Sequence, residues 1–517
     1  MDSTGGGAVA VRMAPSHEPD VERFRAVVAV RLGLQFDDSK LPLLADVLRR
    51  RLEASGVESE TYLLRLEAGR APGEVAALAQ ELTVGETYFF RHREQYRAFV
   101  DVALAERLRA RSRTTENGAL RILSAGCASG EEPYSLAILV RESLAEGSSE
   151  VSVRAVDINP VALRKAQAGR FSTWALRETP LDIQQRWFRP EGREAVLNDE
   201  AKARVTFEER NLIHDDAELW SPQNYDIVFC RNVIMYLTPE SARALVARIA
   251  NALVPGGYLF LGHAETLRGL SQDFHLLHTH EAFYYRCKDP FARSPVGSET
   301  PIPLRVAPAP DLTAVLANDT TWVQAIRSAT HRIRALAEAT PASAPSSPPL
   351  QSDVQQALDL LRRERFTDAL GVIQALPLEL AGDPDVLLLN AVLLTHGGRL
   401  KEAEEVCQRL LRADELNAGA HYVLALCREG AEDRQRAAEH DQVAVYLDPA
   451  FAMPHLHLGL LARRTDDYAT ARRELRGALD LLQREDASRL LLFGGGFNRE
   501  TLIALCRAEL QACGGQP

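Results

Sequence analysis

The stretch Leu120-Arg-Ile-Leu-Ser-Ala-Gly126-Cys-Ala-Ser-Gly130-Glu131-Glu132-Pro133-Tyr-Ser135 reads as an apolar strand, a turn of small residues and the start of a helix. Pro133 falls in the first helical turn, where its missing N–H leaves no bond unmade. A second strand, Val151-Ser-Val-Arg-Ala-Val-Asp157, ends in an acid. An acid at that place can accept hydrogen bonds from both ribose hydroxyls of an adenosine-containing ligand. The turn is not a dinucleotide fingerprint, because Gly126 and Gly130 stand in G-x-x-x-G and not G-x-G-x-x-G spacing. Glu131 and Glu132 follow where a pyrophosphate would lie and would repel it. They would attract a cation, such as the amino group or sulfonium of S-adenosylmethionine. The pocket chemistry therefore favours a methyltransferase over a nicotinamide enzyme, against the plainer reading of a structural glycine turn with exposed acids.

Strand-like runs continue outward. Val205-Thr-Phe-Glu-Glu-Arg-Asn211-Leu212 ends in an amide able to bind an adenine edge. Tyr225-Asp-Ile-Val-Phe-Cys-Arg231-Asn232 is the candidate central strand, and the stretch from Leu253 to Gly262 gives a helix end, a turn and another strand. Asp157, Asn211, Arg231 and Asn232 all fall at carboxyl ends of strands, where open α/β sheets bind ligands. Thr238 and Pro239 read as the cap and first position of a helix. Strands alternating with helices over residues 119–290 predict a Rossmann-like α/β domain with a mainly parallel sheet.

Before it, residues 20–82 are helical in pattern, with Leu43, Leu44, Val47, Leu48 and Leu52, then Tyr62, Leu63 and Leu66, at three-to-four spacing. After it, residues 291–350 carry nine prolines among Ser and Ala and read as a linker, with one amphipathic helix suggested by Trp322, Ile326, Ile333 and Leu336. Beyond the linker the chain repeats. Ala369, Ala403, Ala437 and Ala471 are 34 residues apart, and Ala357, Ala391, Ala425 and Gly459 stand twelve residues before each of them. This period is that of tetratricopeptide (TPR) repeats, in which small residues let paired helices approach. Arg434 and Asp441 depart from the pattern. The expected organisation is multidomain: a disordered tail (1–19), a helical docking domain (20–85), a catalytic domain (86–290), the linker (291–350), an all-α solenoid of four repeats (351–482) and a capping helix (483–517).

The composition excludes several classes. The chain has 517 residues and a net charge of −11, which is no footprint for a nucleic-acid protein. No apolar run approaches the ~18 residues that span a bilayer, and the first twenty residues lack the apolar core of a secretory signal. Seven scattered cysteines without C-x-x-C spacing argue for a reducing, cytoplasmic setting and against disulfides or zinc.

Four segments together resemble the chemotaxis receptor glutamate methyltransferase (CheR) family: Leu82-Thr-Val-Gly-Glu-Thr87-Tyr-Phe-Phe-Arg91, Ser124–Ser135, Phe229-Cys-Arg-Asn-Val-Ile-Met-Tyr236 and Gly262-His-Ala-Glu265. The resemblance spans about residues 20–288, and the repeats are similar to a C-terminal extension carried by some members. It implies S-adenosylmethionine as cofactor, S-adenosylhomocysteine as product, and methylation of glutamates on the helical bundle of a chemoreceptor. By position, Thr87 and Arg91 would line the cofactor pocket, with Gly126 in its turn. Glu132 would hold the methionine amino group, with Glu131 as a near alternative. Asp157 would hold the ribose, Asn211 and Leu212 the adenine, and Arg231 and Asn232 would complete the site. Arg91 would steer the substrate carboxylate and Tyr236 position it beside the methyl. Where the family usually has Asn, this chain has Gly85. Arg49-Arg50-Arg51 would dock the acidic receptor helices, or simply form a solvated helix face.

The region Trp187–Phe207 suggests a small hairpin insertion, with 195–197 and 205–207 flanking Asn198-Asp199; in the family such an insertion can grip a receptor's tethering peptide. His275, His278 and His280 lack acid and thiol partners, so no metal is expected. Cys127 has no base beside it and reads as a packing residue, and His263 as pocket wall. A non-catalytic adaptor, or a carboxyl methyltransferase for another substrate, are the competing functions. The repeats offer a second protein partner.

Overall fold

Helices α1 (Glu18–Leu32), α2 (Leu41–Ser55), α3 (Ser59–Glu67) and α4 (Pro72–Leu82) form the N-terminal piece of the computed structural model. The model describes residues 18–112, 119–144, 151–289, 351–362, 365–377, 380–495 and 497–514. The tail up to residue 17, the proline-rich linker and its suggested helix lie outside the described residues. The described chain separates into two compact units, one holding residues 18–265 and 269–289 and the other holding residues 266–268 and those from 351 onward.

In the first unit the apolar spacing of the N-terminal helices becomes one cluster, with Phe24, Val28, Leu44, Val47, Leu48, Leu63, Leu66 and Leu78 buried together. Leu43 is left exposed. Gly56, at φ +64°, ends α2 by returning its N–H to the Leu52 carbonyl, a conformation that favours glycine. The helical piece and the α/β piece share one compact unit. After α5 (Arg93–Ala98) a single π-helical turn, Phe99–Leu104, leads into α6 (Ala105–Ser112).

The α/β piece runs β1 (Leu120–Ala125), α7 (Glu131–Ser143), β2 (Val151–Asp157), α8 (Pro160–Ala168), β3 (Arg170–Ser172), α9 (Leu181–Trp187), β4 (Phe188–Glu191), β5 (Glu194–Leu197), α10 (Asp199–Lys202), β6 (Val205–Glu209), β7 (Tyr225–Cys230), α11 (Pro239–Ala252), β8 (Leu253–Leu261), β9 (Phe274–Thr279) and β10 (Ala282–Cys287). Seven strands form one sheet in the order β6-β2-β1-β7-β8-β10-β9. The first five are parallel, and β10 runs antiparallel between β8 and β9. This is a Rossmann-like sheet with helical crossovers, and every residue of β7 is buried, as expected for a strand covered on both faces. Phe229, Phe260 and Tyr284 stack across β7, β8 and β10 with ring centroids 4.5 and 5.2 Å apart. At the amino end of β7, buried Asp226 pairs with Arg107 (3.1 Å) and Arg111 (2.6 Å), which fastens α6 to the sheet.

The expected hairpin is corrected. The structure has a three-stranded antiparallel sheet in the order β3-β5-β4, turning at Gly192 (φ +65°), while residues 205–209 belong to the main sheet. Asn198 does not make a hairpin turn. Its side chain accepts from the Glu200 N–H and caps the one-turn α10, the alternative use of an Asn-Asp pair.

The second unit comprises α12 (Gln351–Arg362), α13 (Phe366–Gln374), α14 (Pro384–His396), α15 (Leu400–Ala413), α16 (Ala418–Gly430), α17 (Arg434–Leu447), α18 (Ala452–Arg464), α19 (Tyr468–Leu482), α20 (Ala487–Phe493) and α21 (Arg499–Ala512). The 34-residue register holds: Phe366, Leu400, Arg434 and Tyr468 each begin the second helix of a pair. All seven repeat-register alanines are fully buried. At Gly459 a Cβ would lie 2.6 Å from Leu475 Cγ, so even Ala is too large there. The departure at Asp441 is answered by His457, whose Nδ1 lies 2.6 Å from its carboxylate, while Nε2 meets Glu429 at 2.9 Å. In place of one capping helix the segment holds two helices, α20 and α21, of which α21 packs on the last repeat.

Candidate active site

The carboxyl ends of β1, β2, β6 and β7 open onto a cleft of about 840 Å³, counting its mouth. Gly126, Asp157, Asn211, Leu212, Asn232 and Tyr236 line it, and the N-terminal piece closes one side with Leu32, Leu34 and residues 82–85. The wall is stitched by backbone. Gln35 N–H donates to the Tyr236 carbonyl and Thr238 N–H to the Gly33 carbonyl, each at 2.8 Å, so Leu34 and Leu237 pair as an isolated bridge.

The β1 turn shapes the floor. Gly126 has φ +77°, and a Cβ there would lie 2.5 Å from Val233 Cγ2, so both conformation and space require glycine. Asp157 is braced by two backbone donors, Ala128 N–H and Asn159 N–H, both at 2.8 Å. Burial pushes its carboxyl upward, while those donors pull it back. A carboxylate accepts about four hydrogen bonds, so Asp157 keeps acceptor capacity toward the cleft. Asn211 is more committed: Nδ2 donates to the Arg31 carbonyl at 2.9 Å, and Oδ1 accepts from Ile213 N–H at 3.2 Å. Its backbone and that of Leu212 remain as the adenine-edge candidates. The lining thus offers one acid and backbone and no Lys or Arg, which fits a ribose and a cationic sulfur better than a pyrophosphate.

Four residues expected in the pocket lie outside its lining. Arg231 and Glu132 answer one another, at 3.1 Å, and Glu132 also accepts from Ser124 Oγ at 2.8 Å. Arg231 Nη2 further donates to the Arg91 carbonyl at 2.5 Å. Sequence reasoning treated Glu132 and Arg231 as separate ligands because nothing local shows that they meet. Glu131 turns to Ser129 Oγ at 2.8 Å, and burial pushes its carboxyl up to about 7. Thr87 is half-buried in the loop before α5. There Phe89 wedges edge-on against Phe171 and Phe188 and ties the loop to the small sheet. Arg91 donates Nη1 to the Glu86 carbonyl at 3.1 Å, and its buried Nε has no protein partner. A buried donor left unmade is costly.

Two features were missed. The first is Glu265, quoted above only as part of a motif. Its carboxylate is 4% exposed and accepts from the backbone N–H groups of Asn232 (2.6 Å), Gly262 (2.7 Å), Val233 (2.8 Å) and Met235 (3.2 Å). It thereby fixes the loop in which Asn232 takes φ +57° and the turn Ile234–Tyr236 presents Tyr236, 37% exposed, to the cleft. An acid three residues beyond a strand-end glycine is the only sequence signal. The second is a pair of imidazoles, His92 and His263, with centroids 4.4 Å apart. Burial, then Arg231, holds His92 down to about 3, and burial, then Arg91, lowers His263.

The other residues singled out in the sequence have partners in the first unit. Arg49, Arg50 and Arg51 all meet acids of their own domain: Arg49 with Glu53 (3.0 Å), Arg50 with Glu81 (2.7 Å), and Arg51 with Glu74 (2.6 Å). Arg51 is largely buried, so Arg49 and Arg50 carry the exposed charge. His278 stacks on Phe283 (4.2 Å) and His280 pairs with Asp101 (3.0 Å). Among the described residues no group of three or more His, Cys, Asp or Glu is arranged for a metal ion. Cys127 is buried and its thiol is pushed well up, which disfavours the thiolate.

Residues 85–283 match the family described as CheR methyltransferase, SAM binding domain. The chain is 32% identical over 278 residues to chemotaxis protein methyltransferase 1 of Pseudomonas aeruginosa, covering 52% of this chain and 98% of that protein. It is equally similar (32%) to the chemotaxis protein methyltransferase of Klebsiella aerogenes, covering 52% and 92%. A longer match, 29% identical over 454 residues, joins it to the probable biofilm formation methyltransferase WspC of Pseudomonas aeruginosa, covering 87% of this chain and 96% of that one.

Proposed function

Since the chain belongs to the CheR methyltransferase family and carries its SAM binding domain, we propose that it forms methyl esters on glutamate side chains in the cytoplasmic signalling helices of chemoreceptors. The observation that carries this reading is the cleft itself. An acid with spare acceptors (Asp157), a floor that admits only glycine (Gly126) and an exposed tyrosine on a pinned loop (Tyr236) share one lining. S-adenosylmethionine supplies, when bound, a methyl group on a cationic sulfur that a carboxylate can attack.

The chain's own residues then have positional work. A glutamate is already ionised at pH 7, so no general base is required. Asp157 accepts the ribose hydroxyls through the lone pairs that Ala128 and Asn159 leave. Asn211 and Leu212 offer backbone to the adenine. Glu132 holds the methionine ammonium with the capacity left by Ser124 and Arg231; Glu131, whose burial favours the neutral form, is the weaker candidate. Arg91 steers the incoming carboxylate by its charge, and Tyr236 holds it in line. Alignment and exclusion of water account for most of such a rate effect. Residues 20–85 dock the substrate helices through Arg49 and Arg50, residues 86–290 carry the chemistry in the cytoplasm, and the repeats bind a partner protein. Among the described residues no helix is long and apolar enough to cross a membrane.

The test is transfer of radiolabelled methyl to receptor cytoplasmic fragments, released again by base. Arg91→Ala and Tyr236→Phe should each lower turnover at least tenfold while affinity for S-adenosylhomocysteine changes less than threefold. A chain that binds cofactor but labels no fragment is an adaptor. A second reading concerns the output. The match covering 87% of the chain carries a biofilm-formation name, so the receptor served need not steer swimming. Deleting the gene and scoring attachment beside motility separates the two.

A further inference from the structure

α20 does not extend the repeat stack. A capping helix packs on the last repeat, and α21 does so, lying against α19. α20 instead packs on α14, the first helix of the second repeat. It therefore turns back along the face made by the first helices of the pairs, the face on which stacked repeats present an extended binding surface.

Its contacts there are those of a ligand. Phe493, 5% exposed, enters a pocket between α14 and α16. Its ring lies 5.8 Å from Tyr422 and 5.0 Å from Phe451, both edge-on, the preferred aromatic geometry. Gly419 makes the room. A Cβ there would stand 3.0 Å from Phe493 Cζ and 3.0 Å from Leu388 Cδ2. Arg489 supplies charge. It pairs with Asp448 and, at 3.2 Å, with Glu485, and its guanidinium lies 4.8 Å over the Phe451 ring. The segment leaves through Gly494-Gly495-Gly496, which adds no side-chain anchor. A seven-residue helix is too short to be stable alone, so the groove supplies what holds it.

We propose that this inner face is a peptide-binding groove and that α20 is a self-ligand in it, displaced by a short amphipathic helix of a partner protein that offers an aromatic anchor for the Leu388–Gly419–Tyr422–Phe451 pocket and an arginine for Asp448. The chemistry of α20 defines that of the partner, because the groove offers an aromatic pocket at one end and, at the other, the Asp448 carboxylate, which Arg268 also meets at 2.8 Å. The catalytic reading is independent of this and stands or falls separately.

The experiment uses the full chain and a fluorescein-labelled peptide copying residues 485–498. Phe493→Ala weakens the self-ligand, so this variant should bind the peptide at least tenfold more tightly than the wild-type chain, by anisotropy. A peptide with its first phenylalanine replaced by alanine should bind the same variant at least tenfold more weakly. Equal affinity of variant and wild type, or of the two peptides, overturns the proposal. Should Phe493→Ala lose helical content by circular dichroism, hydrogen exchange on the wild-type chain decides. Amides of 487–493 should exchange at least ten times faster than those of α18 and α19, since a displaceable segment opens alone. Equal protection makes α20 a permanent part of the core and overturns it.

Discussion

Asp226 and Glu265 are both buried carboxylates at the rim of one sheet, and they are satisfied by different means. Asp226, at the amino end of β7, meets two guanidinium groups and the Arg121 N–H. Glu265, beyond the carboxyl end of β8, accepts from four backbone N–H groups. Arginine side chains can follow a moving carboxylate, so the Asp226 cluster ties two elements together without prescribing a loop. Backbone donors cannot move without moving the chain, so Glu265 dictates the shape of residues 232–235. Asp226 thus ties elements of the fold together, and Glu265 shapes one loop of the site.

The largest expected effect lies at the first. Asp226→Ala strands Arg107 and Arg111, and breaking such a buried cluster costs about 3–5 kcal/mol. Chemical unfolding should show it, with cofactor affinity per folded molecule unchanged; a loss below about 1 kcal/mol would break the comparison. At the site, Asp157→Ala should weaken S-adenosylhomocysteine binding about 30- to 150-fold, the worth of ~2–3 kcal/mol for a hydrogen bond to a charged group. Calorimetric titration reads it directly. Glu265→Gln places an amide donor against backbone donors, and leaving one unsatisfied costs about 1–3 kcal/mol. Turnover should fall about ten- to hundredfold, while unfolding shifts less than in Asp226→Ala. Full turnover in Glu265→Gln would remove the distinction.

The smallest effect tests an intermediate case. Glu131 has one hydroxyl partner, and burial holds its carboxyl at about 7 in the native state against 4.5 as a free side chain. Between those values the native state keeps a proton that the unfolded chain releases. Stability from this group is therefore full below about pH 4.5 and lost as pH rises through about 7. Glu131→Gln, which cannot ionise, should gain about 1–3 kcal/mol relative to wild type on going from pH 4 to pH 8. Parallel curves at the two pH values would refute the assignment.

Much of this was legible in the sequence because it depends on local chemistry. Gly126 and Asp157 follow from a strand, a turn and a second strand, and both line the cleft. The repeat register follows from alanines at a fixed period, and the helices begin where it requires. What was illegible depends on residues distant in the chain. Glu132 and Arg231 are 99 positions apart, and no pattern in either segment announces their pairing. Asn198-Asp199 is as good a helix cap as a turn, so only the pairing of β5 with β3 and β4 decides between them. The return of α20 onto α14 required knowing where a helix two repeats earlier would lie.

The stitching of Gly33–Gln35 to Tyr236–Thr238 bears on how the protein is made. One side of the cleft is finished about 200 residues before the other. At a synthesis rate of roughly 5–20 residues per second, α1 waits about ten to forty seconds on the ribosome for its partner. Contacts of such long sequence separation form slowly. The wall of the cleft can therefore close only after residue 238 has been made, late in the synthesis of the first unit.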